Sequence, residues 1–266
     1  MIEVVNPLIA LITDFGNRDH FVGAIKGTIL TINPNAIIVD ISHEIPKFDI
    51  WTAGFILYNA AKFFPKGSIF VAVVDPEVGG KRKIILLKTT DEKFFIAPDN
   101  GLLTFVQNNL KVAWIREIRN RKMMLPDISH TFHGRDIMAP VAAHLSLGAN
   151  PENVGPILKR IKLLNVEDPE RIGKTIYGQI WHIDDFGNVI TNIPRGFVKF
   201  SPHKKLEVTF QTASLKAIFG ETFADVAEKE NVAYFGSSGL LEIARNRGDL
   251  AKELKVKTGQ RIIIRW

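Results

Sequence analysis

Residues 8–74 constrain the fold most, because apolar runs of β type alternate there with stretches of helical periodicity. Residues 8–13 form a short apolar run ending in Asp14-Phe15-Gly16-Asn17, which predicts a buried strand entering a turn. Within 19–32, Phe21, Val22, Ile25, Ile29 and Ile32 recur near helical spacing, and Asn33-Pro34-Asn35 stops them. Residues 36–41 predict a second strand and 51–64 a second helix, closed by Pro65-Lys66-Gly67. A third strand, 68–74, ends at Asp75-Pro76. This order is that of a mostly parallel sheet covered by helices. Functional groups of such sheets gather at the carboxyl ends of the strands, where Asp14 and Asp75 fall.

Residues 83–89 and 94–97 predict a hairpin, and 100–108 and 136–147 predict helices, the latter with Pro140 in its opening turns. From about Thr175 the texture changes to short β-type runs at 176–183, 189–192, 205–210, 233–235, 240–244 and 261–266. Their spacing points to a small antiparallel barrel or sandwich. The expected fold class is therefore α/β: an N-terminal three-layer α/β domain with a mostly parallel sheet, then a smaller, barrel-like C-terminal antiparallel β domain. The boundary falls within 152–174, giving domains 1–160 and 161–266.

Composition narrows the chemistry. A chain of 266 residues, 46% hydrophobic and 23% charged, is globular. It has no cysteine, which removes disulfides, thiol nucleophiles and zinc–thiolate sites. The opening residues lack a basic, then apolar, secretion signal, and no apolar run is long enough to span a membrane, so a cytoplasmic protein without membrane association is expected. The net charge of +6 is spread over short clusters such as Lys81-Arg82-Lys83, the pattern of solvated faces, and no nucleic-acid partner is expected.

Asp14-Phe15-Gly16 stands too near the start to be a kinase metal motif, which needs a Gly-rich loop and a catalytic loop upstream. Asp75 and Arg82 flank a tight turn, which fits either an exposed salt bridge or a pair facing a pocket. His133 precedes a helix and is followed by Gly134, so it either packs or meets a ligand. The remaining histidines show no metal-ligand spacing, and no metal site is expected. Residues 184–188 and 236–239 are polar turns, the second able to grip an anion through backbone N–H groups.

Taken in order, these segments resemble one family. They are Thr13-Asp14-Phe15-Gly16, Asp75-Pro76 with Arg82, Ala97-Pro98-Asp99-Asn100-Gly101-Leu102-Leu103 and Thr131-Phe132-His133-Gly134-Arg135-Asp136. Phe186-Gly187-Asn188 with Thr191-Asn192-Ile193, and Ser237-Ser238-Gly239 with Ile243-Ala244-Arg245-Asn246, complete the set. The set is similar to the S-adenosyl-L-methionine hydroxide adenosyltransferases, relatives of the fluorinases and chlorinases. The resemblance implies a homotrimer with each site between neighbouring subunits, and cleavage of S-adenosyl-L-methionine by water into adenosine and L-methionine without metal or cofactor.

By matching position, the resemblance implies that Asp14 grips the ribose hydroxyls and that Phe48 lies against the ribose, where fluorinase has Trp. It places Phe186 and Phe223 on either side of adenine, with Asn188, Arg245, Asn246 and Arg247 reading its edge. Asp19, Asp184 and Ser237 correspond to residues that hold the methionine end. Halogenase relatives carry Arg where this chain has Ser238, so the grip on the methionine carboxylate is expected to be rearranged. Asp75, Arg82 and His133 match the trio of the hydroxide-using branch, whereas fluorinase has Tyr at the Asp75 position.

That chemistry suits those residue types. The leaving thioether of a sulfonium needs no acid, whereas the pKa of bulk water, about 15.7, makes the nucleophile the difficulty. A guanidinium favours hydroxide, and either Asp75 or His133 is available to take the proton. A halide-using relative and a non-catalytic adenosine or S-adenosylmethionine sensor are the alternatives.

Overall fold

The computed structural model describes residues 8–266; the opening heptapeptide, which carries the expectation of no secretion signal, lies outside the described residues. Contacts divide the chain into two compact units, Met1–Leu164 and Asn165–Trp266.

The first unit runs β1 (Ile9–Thr13), α1 (Phe21–Ile32), β2 (Ile38–Ser42), α2 (Ile50–Ala61), β3 (Ile69–Val73), β4 (Ile84–Thr89), β5 (Phe94–Pro98), α3 (Thr104–Asn109), β6 (Val112–Glu117) and α4 (Ala139–Ser146). Its sheet has the order β2-β1-β3-β5-β4-β6. The pairings β1–β2, β1–β3 and β3–β5 are parallel, whereas β4 runs antiparallel to β5 and β6. β1 and β3 are buried along their whole length because alternate residues meet different helical layers. Ile9, Leu11, Val71 and Val73 pack with Ile25 and Ile29 of α1 and Val141 of α4. Ala10, Ile12, Phe70 and Ala72 pack with Ala53 and Leu57 of α2 and Val106 of α3.

Two helices differ from expectation. α3 starts only at Thr104, after a turn through Asn100 and Gly101. The helix expected at 136–147 opens as a π turn, Gly134–Met138, and becomes α-helical at Ala139. Pro140 has no N–H to give the Asp136 carbonyl, which instead accepts from Leu125 N at 2.9 Å. β6 was not expected, its run being broken by polar residues.

The second unit runs β7 (Glu170–Ile172), β8 (Thr175–Ile183), β9 (Val189–Pro194), β10 (Lys205–Thr209), β11 (Ser214–Phe219), β12 (Asn231–Phe235), β13 (Leu240–Arg245), α5 (Leu250–Leu254) and β14 (Arg261–Arg265). The order β14-β10-β11-β12-β13-β9-β8 closes through β8–β14 into a seven-stranded barrel, with β7 paired outside on β8. Only β11–β12 is parallel. Inward residues such as Ile180, Leu206, Val208, Ile243, Ile262 and Ile264 form its core, with Leu250 and Ala251 of α5 packed on it. Among the described residues no helix is long and apolar enough to cross a membrane.

Candidate active site

In the first unit, a cavity of about 260 Å³ is lined by Asp14, Phe15, Lys47, Phe48, Asp75 and His133 among others. Asp14 directly follows β1 and is buried. Its Oδ2 accepts from Phe48 N at 2.9 Å, while Lys47 Nζ donates to the Asp14 carbonyl. Phe48 has φ +65°, a left-handed conformation that costs an L side chain energy and is held here by that bond. The residue is 67% exposed.

Asp75 stands two residues past β3, in a loop braced from below: Asn100 Nδ2 donates to the Val74 carbonyl at 2.9 Å, and Asn100 Oδ1 accepts from Leu102 N. The Pro98-Asp99-Asn100-Gly101 motif thus acts as a support. Further round the loop, Gly79 has φ +77°, and a Cβ there would lie 2.4 Å from the His130 carbonyl. Only glycine permits this close approach to the segment leading into His133.

Arg82 closes the loop. Its Nε donates to Asp75 Oδ1 at 3.0 Å and Oδ2 at 2.8 Å, and its Nη2 donates to Oδ2 at 2.5 Å. The same Nη2 lies 2.8 Å from His133 Nδ1. The Arg82 and Asp75 side chains are only 3% and 5% exposed, so this is not the exposed loop bridge that the sequence left open. Arginine has no acceptor, so His133 Nδ1 must accept, which puts the imidazole hydrogen on Nε2. Burial foremost, and then the Arg82 charge, push the His133 pKa down, against an opposing pull from Asp75. Asp75 and His133 line the cavity, whereas Arg82 lies outside its lining and acts on it through them.

His133 is held by the π turn that follows it. Gly134 sits against β3, where a Cβ would come within 3.1 Å of Val73 Cγ1. The fully buried Asp136 accepts from Ser129 N at 2.8 Å and from Arg135 Nε at 2.6 Å, fastening the segment at both ends.

In the second unit, Phe186, Asn188, Phe223, Arg245, Asn246 and Arg247 line another cavity, of about 620 Å³. Asp184 shapes the turn after β8: Oδ1 accepts from Phe186 N and Asn188 N at 3.0 and 2.9 Å, and Oδ2 from Asn188 Nδ2 at 2.8 Å. Phe186 is left 78% exposed. Gly187 (φ +79°) lets Asp249, the N-cap of α5, approach to where a Cβ would stand. Arg245 is anchored by Asn231 Oδ1 at 3.0 Å and by Glu253, and Asn246 Nδ2 donates to the Val226 carbonyl at 2.9 Å.

The expected residues therefore gather in two groups, one in each unit. Asp19, exposed ahead of α1, Asp184, behind the Phe186 turn, and Ser237 and Ser238, in the turn between β12 and β13, line neither cavity. Lys47, Asn100 and Asp249 were not singled out by sequence. Of these, only Asn100 lay in a quoted motif.

Comparison with known proteins gives the arrangement its context. Residues 9–155 match the model of the SAM hydroxide adenosyltransferase N-terminal domain, and 178–263 that of its C-terminal domain. The chain belongs to the SAM hydroxide adenosyltransferase family. Among relatives in this family, the (R)-S-adenosyl-L-methionine hydrolases of Thermus thermophilus and Methanocaldococcus jannaschii are 35% and 34% identical, covering 93% and 96% of this chain and 95% of each relative. A fluorinase from Actinoplanes is 28% identical over 97% of both chains. The crystal structure of an uncharacterized conserved protein from Thermotoga maritima superposes with a TM-score of 0.93 at 41% identity, covering 97% of this chain and all of that one.

Proposed function

We propose that this adenosyltransferase hydrolyses S-adenosyl-L-methionine to adenosine and L-methionine, and that its working form is a cytoplasmic homotrimer with each site completed by a neighbouring copy. The observation that carries the hydrolytic reading is the buried Asp75–Arg82–His133 network beside Asp14 at one cavity. At about 260 Å³ that cavity falls below the roughly 300–1,000 Å³ of sites that bury a drug-sized ligand. It suits the ribose and its C5′, with Asp14 as partner for the ribose diol. The cavity between Phe186 and Phe223 suits the adenine, and Asp19, Asp184, Ser237 and Ser238 the methionine end.

The C5′–oxygen bond forms as the C5′–sulfur bond breaks, the electron pair passing to sulfur and discharging the sulfonium. A water proton goes to Asp75. In its fixed tautomer His133 has no free lone pair, so it donates from Nε2 towards the nucleophile and does not act as the base. Arg82 supplies positive charge where the oxygen turns hydroxide-like, and holding water in line supplies the proximity.

Incubating purified protein with S-adenosyl-L-methionine and separating the products is the test. Equal release of adenosine and methionine is expected. Halogenated adenosine in the presence of chloride or fluoride would replace this reading with halide transfer, and tight binding without turnover would make the protein a sensor.

A further inference from the structure

The barrel holds one buried carboxyl group that the chemistry above does not use. Glu242, on β13, is 7% exposed. The groups that act on it are Tyr234, Ser238 and Asp184, none of them a cation. Burial and the Asp184 charge push its pKa up, favouring the neutral acid. Tyr234 faces it across the β12–β13 ladder. The Tyr234 and Ser238 hydroxyls act against that rise.

The carboxyl group fills the inner side of the turn that joins those strands. A Cβ on Gly236 would lie 1.9 Å from Glu242 Oε1 and 2.9 Å from Oε2. The turn is otherwise closed by Gly236 N to the Leu240 carbonyl and Gly239 N to the Gly236 carbonyl, both at 3.0 Å. Ser237 and Ser238 are thus displayed on a turn seated on Glu242, and Asp184 acts electrostatically on the same group.

We propose that Glu242 is a positioning residue for the amino-acid portion of S-adenosylmethionine, its carboxyl group, packed under Gly236 and opposite Tyr234, holding the 236–239 turn in its receiving shape. This rests on the function proposed above. Glutamine has the outline of the neutral acid and keeps polar atoms beneath the turn, whereas alanine leaves a void there.

The test compares wild type, Glu242→Gln, Glu242→Ala and Tyr234→Phe, using steady-state kinetics and calorimetric binding of adenosine and of L-methionine. Glu242→Ala is expected to raise KM about tenfold and to weaken methionine binding equally, because the turn loses the group it packs on. Its kcat and its adenosine affinity stay near wild type. Glu242→Gln behaves as wild type. Tyr234→Phe, which keeps the ring and removes the hydroxyl that acts on Glu242, gives a smaller rise in KM and serves if the alanine variant does not fold.

An unchanged KM in the alanine and phenylalanine variants overturns the proposal. So does equal loss of adenosine and methionine binding, the mark of general disruption, or a glutamine variant as impaired as alanine. A wild type that binds methionine and S-adenosylmethionine without cleaving the latter refutes hydrolysis alone, and the binding arm still decides the role of Glu242. A wild type that binds neither overturns both.

Discussion

At the residue scale, one guanidinium orders two neighbours. Arg82 holds both Asp75 oxygens and fixes which nitrogen of His133 carries hydrogen, a fork geometry that lysine cannot reproduce. Arg82→Lys is therefore expected to lower kcat roughly 100-fold, on the scale of losing one preorganised donor. Adenosine binding should persist, and single-turnover product analysis beside calorimetry separates the two; normal turnover removes the trio from the mechanism. The same contact sets a pH dependence. Protonating His133 Nδ1 would set two donors face to face, and its pKa lies below the ordinary imidazole value. Activity should be level above about pH 6.5 and fall as pH drops below it, through the depressed value. Stability follows the same sign, because in that window the unfolded chain binds the proton that the folded state refuses. A pH–rate profile of wild type against His133→Gln checks this, the variant losing the acid limb.

At the element scale, two loops must meet for the network to exist, and glycine lets them. Gly79→Ala would force a side chain into a left-handed position against the His130 carbonyl. A loss of roughly 1–3 kcal/mol is expected, read as a lowered denaturation midpoint together with slower turnover. The sheet was legible because β1 and β3 are continuous apolar runs buried on both faces. β6 and β11 were not, since charged residues such as Arg116 and Lys216 interrupt half-buried strands. The π turn was hidden because helical periodicity does not report where the Asp136 carbonyl finds its donor. Asp75 and Arg82 could be paired from their spacing. His133, fifty-one residues beyond Arg82, could be joined to them by resemblance alone.

At the scale of the whole molecule, two groups of candidate site residues lie in separate units, and each includes an exposed phenylalanine at its cavity, Phe48 or Phe186. A site shared between copies makes a strong prediction. Co-expressing an Arg82→Lys chain with an Asn188→Ala chain should restore activity at about a quarter of the sites by random assembly, whereas sites confined to single chains restore none; the activity of the mixed oligomers decides. The barrel's one parallel pairing has its own consequence. Parallel neighbours cannot be joined by a tight hairpin, so the chain between β11 and β12 needs a longer connection, and that connection delivers Phe223 to the cavity. Each doubling of such a loop costs only about 0.6 kcal/mol. The segment that carries Phe223 can therefore change in length at little cost to the barrel, without touching the cavity that Asp14, Asp75 and His133 line in the other unit.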